Sequence, residues 1–136
     1  WWYRYADGTY PSNTAKTIDG QVYRFDADGY MRTGWVFERG SWYYHALSGA
    51  QVTGWVLDGV SWYYLTPGSG QMATGWVEDG SHWYYLNPTN GKMKTGWHYE
   101  DGSWYYLKPG SGQMATGRLW IVWKYYRFAD NGKLIR

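Results

Sequence analysis

The 136-residue chain has no cysteine, which excludes a disulfide framework and a thiolate metal site and decides nothing about compartment. Leu, Ile and Val are scarce, so a helical bundle with a Leu-rich core is excluded. No apolar run approaches the roughly 18 residues of a membrane span, and no membrane insertion is expected. Neither charge sign dominates: 13 basic residues against 11 acidic give a formal +2. No basic stripe clusters as a nucleic-acid footprint would, so no nucleic-acid partner is expected. The chain opens Trp1-Trp2 without Met or a signal peptide, which we read as a fragment or processed module of something larger.

What is present is aromatic. Twelve Trp, 16 Tyr and 3 Phe sit beside 19 Gly, a composition that also argues against disorder. The tripeptide Trp-Tyr-Tyr starts at Trp42, Trp62, Trp83 and Trp104, in steps of 20, 21 and 21 residues. The same register continues backward to Val22-Tyr23-Arg24 and Trp2-Tyr3-Arg4, and forward to Tyr125-Tyr126-Arg127. Thr-Gly-Trp recurs, its tryptophans being Trp35, Trp55, Trp76 and Trp97, while the fifth copy ends in Arg118. Three residues before each of these glycines stand Met31, Gln51, Met72, Met93 and Met114. Periodicity of this kind marks a repeat architecture.

Each unit reads as a β-hairpin, giving an all-β chain. Trp76-Val77 is a short strand, Glu78-Asp79-Gly80-Ser81 has turn chemistry, and Trp83-Tyr84-Tyr85-Leu86 is a second strand. Asp-Gly at Asp58-Gly59, Asp79-Gly80 and Asp101-Gly102 suits a tight hairpin turn, and Pro-Gly-Ser-Gly after the second strand sends the chain into the next unit. One hairpin of this size is marginal in water, so successive hairpins must stack into a solenoid. Alternation puts Trp62 and Tyr64 on one face and Tyr63 on the other, which creates pockets between consecutive hairpins.

These residues admit other readings. In a Leu-poor solenoid the aromatics also form the core, and the second Tyr of each unit (Tyr64, Tyr85, Tyr106) is assigned to packing. The methionines fit either packing or a pocket wall. His45, His82 and His98 occupy different register positions, so no shared metal is expected. Glu78-Asp79 and Glu100-Asp101 recur at the turn and are assigned to turn and solubility roles rather than to acid/base catalysis. No catalytic residue, cofactor or metal is expected, and the chain is read as non-enzymatic.

The unit Gly75-Trp76-Val77-Glu78-Asp79-Gly80-Ser81-His82-Trp83-Tyr84-Tyr85-Leu86-Asn87-Pro88, followed by Gly91-Lys92-Met93-Lys94-Thr95-Gly96-Trp97, resembles the choline-binding, or cell-wall-binding, repeat. The match covers residues 34–117, while the first units lean toward the related glucan-binding and toxin repeats. The resemblance implies a left-handed superhelix of stacked β-hairpins whose pockets take choline between two Trp of one hairpin and a Tyr of the next. Carried over, the first site is Trp35, Trp42 and Tyr63, and the second is Trp55, Trp62 and Tyr84. The third is Trp76, Trp83 and Tyr105; the fourth is Trp97, Trp104 and Tyr126. Met72, Met93 and Met114 stand beside them.

A quaternary ammonium cannot donate hydrogen bonds, so its recognition depends on cation–π attraction and methyl burial, at roughly 0.5–2 kcal/mol per ring. The Trp-Trp-Tyr sets carry no regularly placed carboxylate that would favour hydrogen-bonding cations. The expected function is a secreted, cell-surface module that anchors its parent to choline on cell-wall teichoic or lipoteichoic acid. The alternative is a carbohydrate-binding repeat, for glucan or host glycan, in which polar side chains would line the pockets beside the Trp. One module over residues 1–136 is expected, with divergent units at 1–33, consensus repeats at 34–117 and a divergent hairpin at 118–136. The ends are expected to be caps: Ala15 and Val22, then Arg118 and Tyr125, replace the two Trp. Trp120, Ile121, Val122 and Trp123 form an apolar run that would cover the stack end or join two copies as a homodimer.

Overall fold

A computed structural model describes residues 3–135. Its twelve strands, each of five residues, pair only with their chain neighbours to make six two-stranded antiparallel hairpins. They are β1 (Thr14–Ile18) with β2 (Gln21–Phe25), β3 (Gly34–Glu38) with β4 (Ser41–His45), and β5 (Gly54–Asp58) with β6 (Ser61–Leu65). The remaining pairs are β7 (Gly75–Asp79) with β8 (His82–Leu86), β9 (Gly96–Glu100) with β10 (Ser103–Leu107), and β11 (Gly117–Ile121) with β12 (Lys124–Phe128). Among the described residues there is no helix and no closed barrel. Trp2 of the backward register lies outside the described residues, and Tyr3 and Arg4 belong to no strand.

The strands run further toward the turn than the sequence reading placed them. Asp79 pairs with His82 and Glu100 with Ser103, which leaves two-residue loops. Loop residues of both φ positive recur at Asp19-Gly20, Arg39-Gly40, Gly80-Ser81, Asp101-Gly102 and Val122-Trp123. That is the mirror-image turn whose twist suits a short hairpin. In the β7–β8 hairpin the predicted Asp79-Gly80 turn is therefore shifted by one: Asp79 ends the strand and Gly80-Ser81 makes the turn.

Two groupings of contacts divide the chain: Trp1–Leu57 with Tyr64–Met72, and Asp58–Tyr63 with Ala73–Arg136. In the first, the Gln51 amide donates to the Val22 carbonyl and the Met72 amide to that of Trp42, both at 2.8 Å. In the second, Met93 donates to Trp62, Met114 to Trp83 and Leu134 to Trp104, each at 2.8 Å. The residue at the Met position thus ties each connecting segment to the Trp position of the preceding hairpin. This backbone ladder joins successive hairpins within each unit and satisfies groups that a free hairpin would leave to water.

The core is shared between aromatic and aliphatic residues. The last residue of each second strand (Phe25, His45 and Leu65 in the first unit; Leu86, Leu107 and Phe128 in the second) is at most 2% exposed. Val36 is as deeply buried, so Leu, Val, Phe and one His take the innermost positions and no Trp does. Volume explains the order: between backbones joined by direct hydrogen bonds a Leu fits where an indole does not. Tyr64 and Tyr85 are buried as expected of the second Tyr, whereas Tyr44 and Tyr106 are half-buried.

Candidate functional site

Cross-strand pairing sets the aromatic geometry. Trp35 lies opposite Tyr44, Trp76 opposite Tyr85 and Trp97 opposite Tyr106. Their rings meet edge to face at centroid distances of 4.9, 5.1 and 5.0 Å, and Trp55 meets Tyr64 at 4.8 Å. Such pairs hold each first-strand indole in place. The second-strand tryptophans are left open instead: Trp42, Trp62, Trp83 and Trp104 are 42, 38, 39 and 45% exposed. Four large apolar rings left open to the same degree in one register make a repeated surface feature rather than a core.

In the second unit two of the expected sets come together. Trp76, Trp83, Tyr105 and Met114 line a cavity of about 410 Å³ together with Glu100 and Asn131, and the Trp76 and Tyr105 centroids are 5.1 Å apart. Trp97 and Trp104, 6.1 Å apart and nearly perpendicular, line a second cavity of about 330 Å³ with Leu134, and Tyr126 lies 5.0 Å from Trp97. In the first unit Trp35 and Trp42 stand 6.4 Å apart at 86°, and Met72 is tied to Trp42 by its amide. Tyr63, Trp62 and Tyr84 belong to the second unit and Trp55 to the first.

The methionines act as spacers as well as walls. A side chain at Gly112 would collide with the Met93 sulfur, and one at Gly132 with that of Met114, so each thioether lies against the backbone of the next connecting loop. Met114 does both, packing at Gly132 and lining the cavity of Trp76 and Trp83.

Three wall residues were missed in the sequence. Leu134 stands where Met114 stands one unit earlier, and Gly132-Lys133-Leu134 against Gly91-Lys92-Met93 is the signal that could have found it. Asn131 comes from the same segment. Glu100, assigned to the turn, is instead a strand residue: Trp76 Nε1 donates to its Oε2 at 3.1 Å, and His98 Nε2 to its Oε1 at 3.2 Å. A carboxylate therefore does enter one Trp-Trp-Tyr set. The bond from His98, then those from Trp76 and Tyr85, hold the Glu100 carboxyl below its ordinary range against the opposing effect of desolvation.

The end units carry their own cations. Arg24 replaces the second Tyr, and its guanidinium lies 3.7 Å over the Tyr43 ring. It bonds Glu38 at 2.9 Å, His45 at 3.1 Å and Gln51. Arg118 lies 3.9 Å over Tyr125 in the last hairpin, where Arg118, Tyr125, Tyr126 and Arg127 leave only about 140 Å³. Cations from both end units thus cover aromatic faces, Arg24 that of Tyr43 in β4 and Arg118 that of Tyr125, and both units carry positions where Ala15, Val22, Arg118 and Tyr125 replace Trp.

A choline-binding repeat profile matches residues 13–50, 39–74 and 73–119. The chain is 39% identical to the solved structure of CbpJ from Streptococcus pneumoniae, with a TM-score of 0.89 over 93% of this chain and 43% of that one. Choline binding protein F from Streptococcus pneumoniae, solved in the presence of a peptidoglycan analogue, gives 38% identity and a TM-score of 0.86, over 93% and 42% of the two chains. The modular autolysin LytC from the same species gives 31% and 0.79, over 100% of this chain and 30% of its own. The chain thus spans less than half the length of each of these structures, and no curated protein sequence matches it. With the profile running across all but the outermost units, the chain belongs to the choline-binding repeat family.

Proposed function

We propose that this chain is a non-catalytic anchoring module that holds a secreted, cell-surface protein to choline residues of wall teichoic or lipoteichoic acid. The sites are Trp35, Trp42 and Tyr63; Trp55, Trp62 and Tyr84; Trp76, Trp83 and Tyr105; and Trp97, Trp104 and Tyr126, with Met72, Met93 and Met114 as walls. Together they form one module, with caps at 1–33 and 118–136. The observation that carries this reading is the cavity of Trp76, Trp83, Tyr105 and Met114, three aromatic rings and a thioether around a space large enough for a small organic cation.

Three rings at roughly 0.5–2 kcal/mol each, less the cost of immobilising the ligand, give a site near ~1 mM. A polymer bearing many cholines would engage several sites, with avidity gains of ~10²–10⁴. Glu100 and Asn131 beside the two indoles favour a second reading, a sugar ring stacked on Trp76 and Trp83 with polar groups at its edge. Calorimetric titration with choline and with a glucan oligosaccharide separates the two. Heat from choline alone, at millimolar affinity, is expected; heat from the oligosaccharide alone would reverse the assignment.

A further inference from the structure

The two cavities of the second unit share a plan but differ in one wall. At the strand position where the Trp76 cavity has Glu100, the following hairpin has Ile121, and the Trp97 cavity is lined by Trp97, Trp104 and Leu134. We infer that Glu100 makes the Trp76–Trp83–Tyr105 cavity a site for ammonium groups that carry N–H as well as for quaternary ones, whereas the Trp97–Trp104 cavity takes only quaternary ammonium. The inference rests on the proposed cation-binding reading.

The argument is one of hydrogen-bond capacity. A carboxylate offers about four acceptor positions. His98, Trp76 and Tyr85 donate to Glu100, leaving one for a ligand. The donors fix its orientation as well. Lys94 Nζ donates to His98 Nδ1 at 2.9 Å, which leaves the His98 proton on Nε2, toward Glu100. Lys94 thus sits across the imidazole from the carboxylate, and the relay of Lys94, His98 and Glu100 holds the acceptor in place without occupying its last position.

A protonated amine entering this cavity exchanges water for a charge-assisted bond to Glu100 while its carbon-bearing face meets the indoles. The same amine between Trp97, Trp104 and Leu134 gives up its water and finds no acceptor in the lining, a loss that a trimethylammonium does not incur. Glu38 holds the corresponding position in β3, where Arg24 engages it at 2.9 Å, and Asp58 and Asp79 hold it in β5 and β7, one methylene shorter; Glu100 combines the longer reach with a place in a cavity wall.

The test titrates the intact chain with choline, N,N-dimethylethanolamine and ethanolamine while following the indole N–H resonances of Trp76 and Trp97. Ethanolamine is expected to bind at Trp76 within ~3-fold of choline and at Trp97 at least ~10-fold more weakly, the difference one charge-assisted bond supplies. Glu100→Gln should weaken ethanolamine ~10-fold at Trp76 and choline by much less, with choline at Trp97 unchanged as the check that the fold persists. Equal preference at the two indoles, or a ratio at Trp76 unmoved by Glu100→Gln, overturns the inference and leaves the cages intact. Failure of choline to move either indole overturns the cation-binding reading itself, and this inference with it.

Discussion

The Met114 amide donates to the Trp83 carbonyl at 2.8 Å, joining two residues 31 positions apart in the chain. The bond sets a wall of the cavity directly against one of its indoles. It also explains why the Met register runs in step with the Trp register: a shift in either would break the backbone ladder between hairpins. Within each unit, stability and site geometry therefore depend on the same few contacts.

Leu86 is fully buried at the end of β8, so Leu86→Ala should cost about 2–5 kcal/mol, as other fully buried leucines do. Urea denaturation measures it. A loss below about 1 kcal/mol would show that the aromatic layer, rather than this inner position, carries the core.

Ligand binding should couple to folding. If each cavity exists only in the stacked state, choline at ten times its Kd adds about 1.4 kcal/mol per site. Melting temperature should rise through the millimolar range, and Trp83→Ala should lower the choline stoichiometry by one. A melting temperature indifferent to choline would mean that the cavities are not preformed between hairpins.

His45 should make the fold acid-sensitive. Its Nδ1 donates to the Gly49 carbonyl at 2.7 Å, so Nε2 is left to accept from Arg24, a neutral arrangement. Burial first, then the positive charges of Arg24 and Arg32, push the imidazole below its ordinary 6.5 despite the opposing Gly49 bond and Glu38. The unfolded chain then takes up a proton that the folded chain refuses, so stability is full above about pH 6.5 and falls as the pH drops toward the depressed value. Urea midpoints at pH 7.5 and 5.5 should differ, and His45→Gln, which keeps a donor and an acceptor, should narrow the difference. The same acid loss in both proteins would place the sensitivity elsewhere.

The last hairpin turns on Val122 and Trp123, at φ of 40° and 70°, both exposed. Left-handed backbone suits Asn-Gly and strains a β-branched residue. Replacing the pair by Asn-Gly should stabilise the chain by about 1–2 kcal/mol, since little packing is lost. If stability falls instead, the two side chains make contacts that outweigh the strain.

Much of the fold was legible because a 20–21-residue period repeats both the strand aromatics and the turn residues. The Trp76, Trp83, Tyr105 and Met114 set was implied by the resemblance to the choline-binding repeat, carried onto that register, and the cavity brings those side chains together. Glu100 was obscured because Glu-Asp-Gly reads as turn chemistry, whereas pairing with Ser103 carries the strand one residue further and turns the carboxylate to Trp76. The inner residues were hidden by composition: 31 aromatics drew attention from Leu65, Leu86 and Leu107, which hold the tightest places because they are small. The role of Arg24 depends on Glu38, His45 and Gln51 converging from separate segments, and no local pattern announces that.

Asn131 and Leu134 belong to adjoining cavities, and Asn131 follows Trp83 by 48 residues. Construction of each cavity therefore lags behind its tryptophans: during synthesis both indoles are in place well before the segment that walls them. A chain ending at Ala129 would keep every cage aromatic of the second unit and still lose a wall from two cavities at once. Counting Trp-Tyr-Tyr copies thus overstates the working sites of a shortened module, because the limiting part is the polar connecting segment that comes after them.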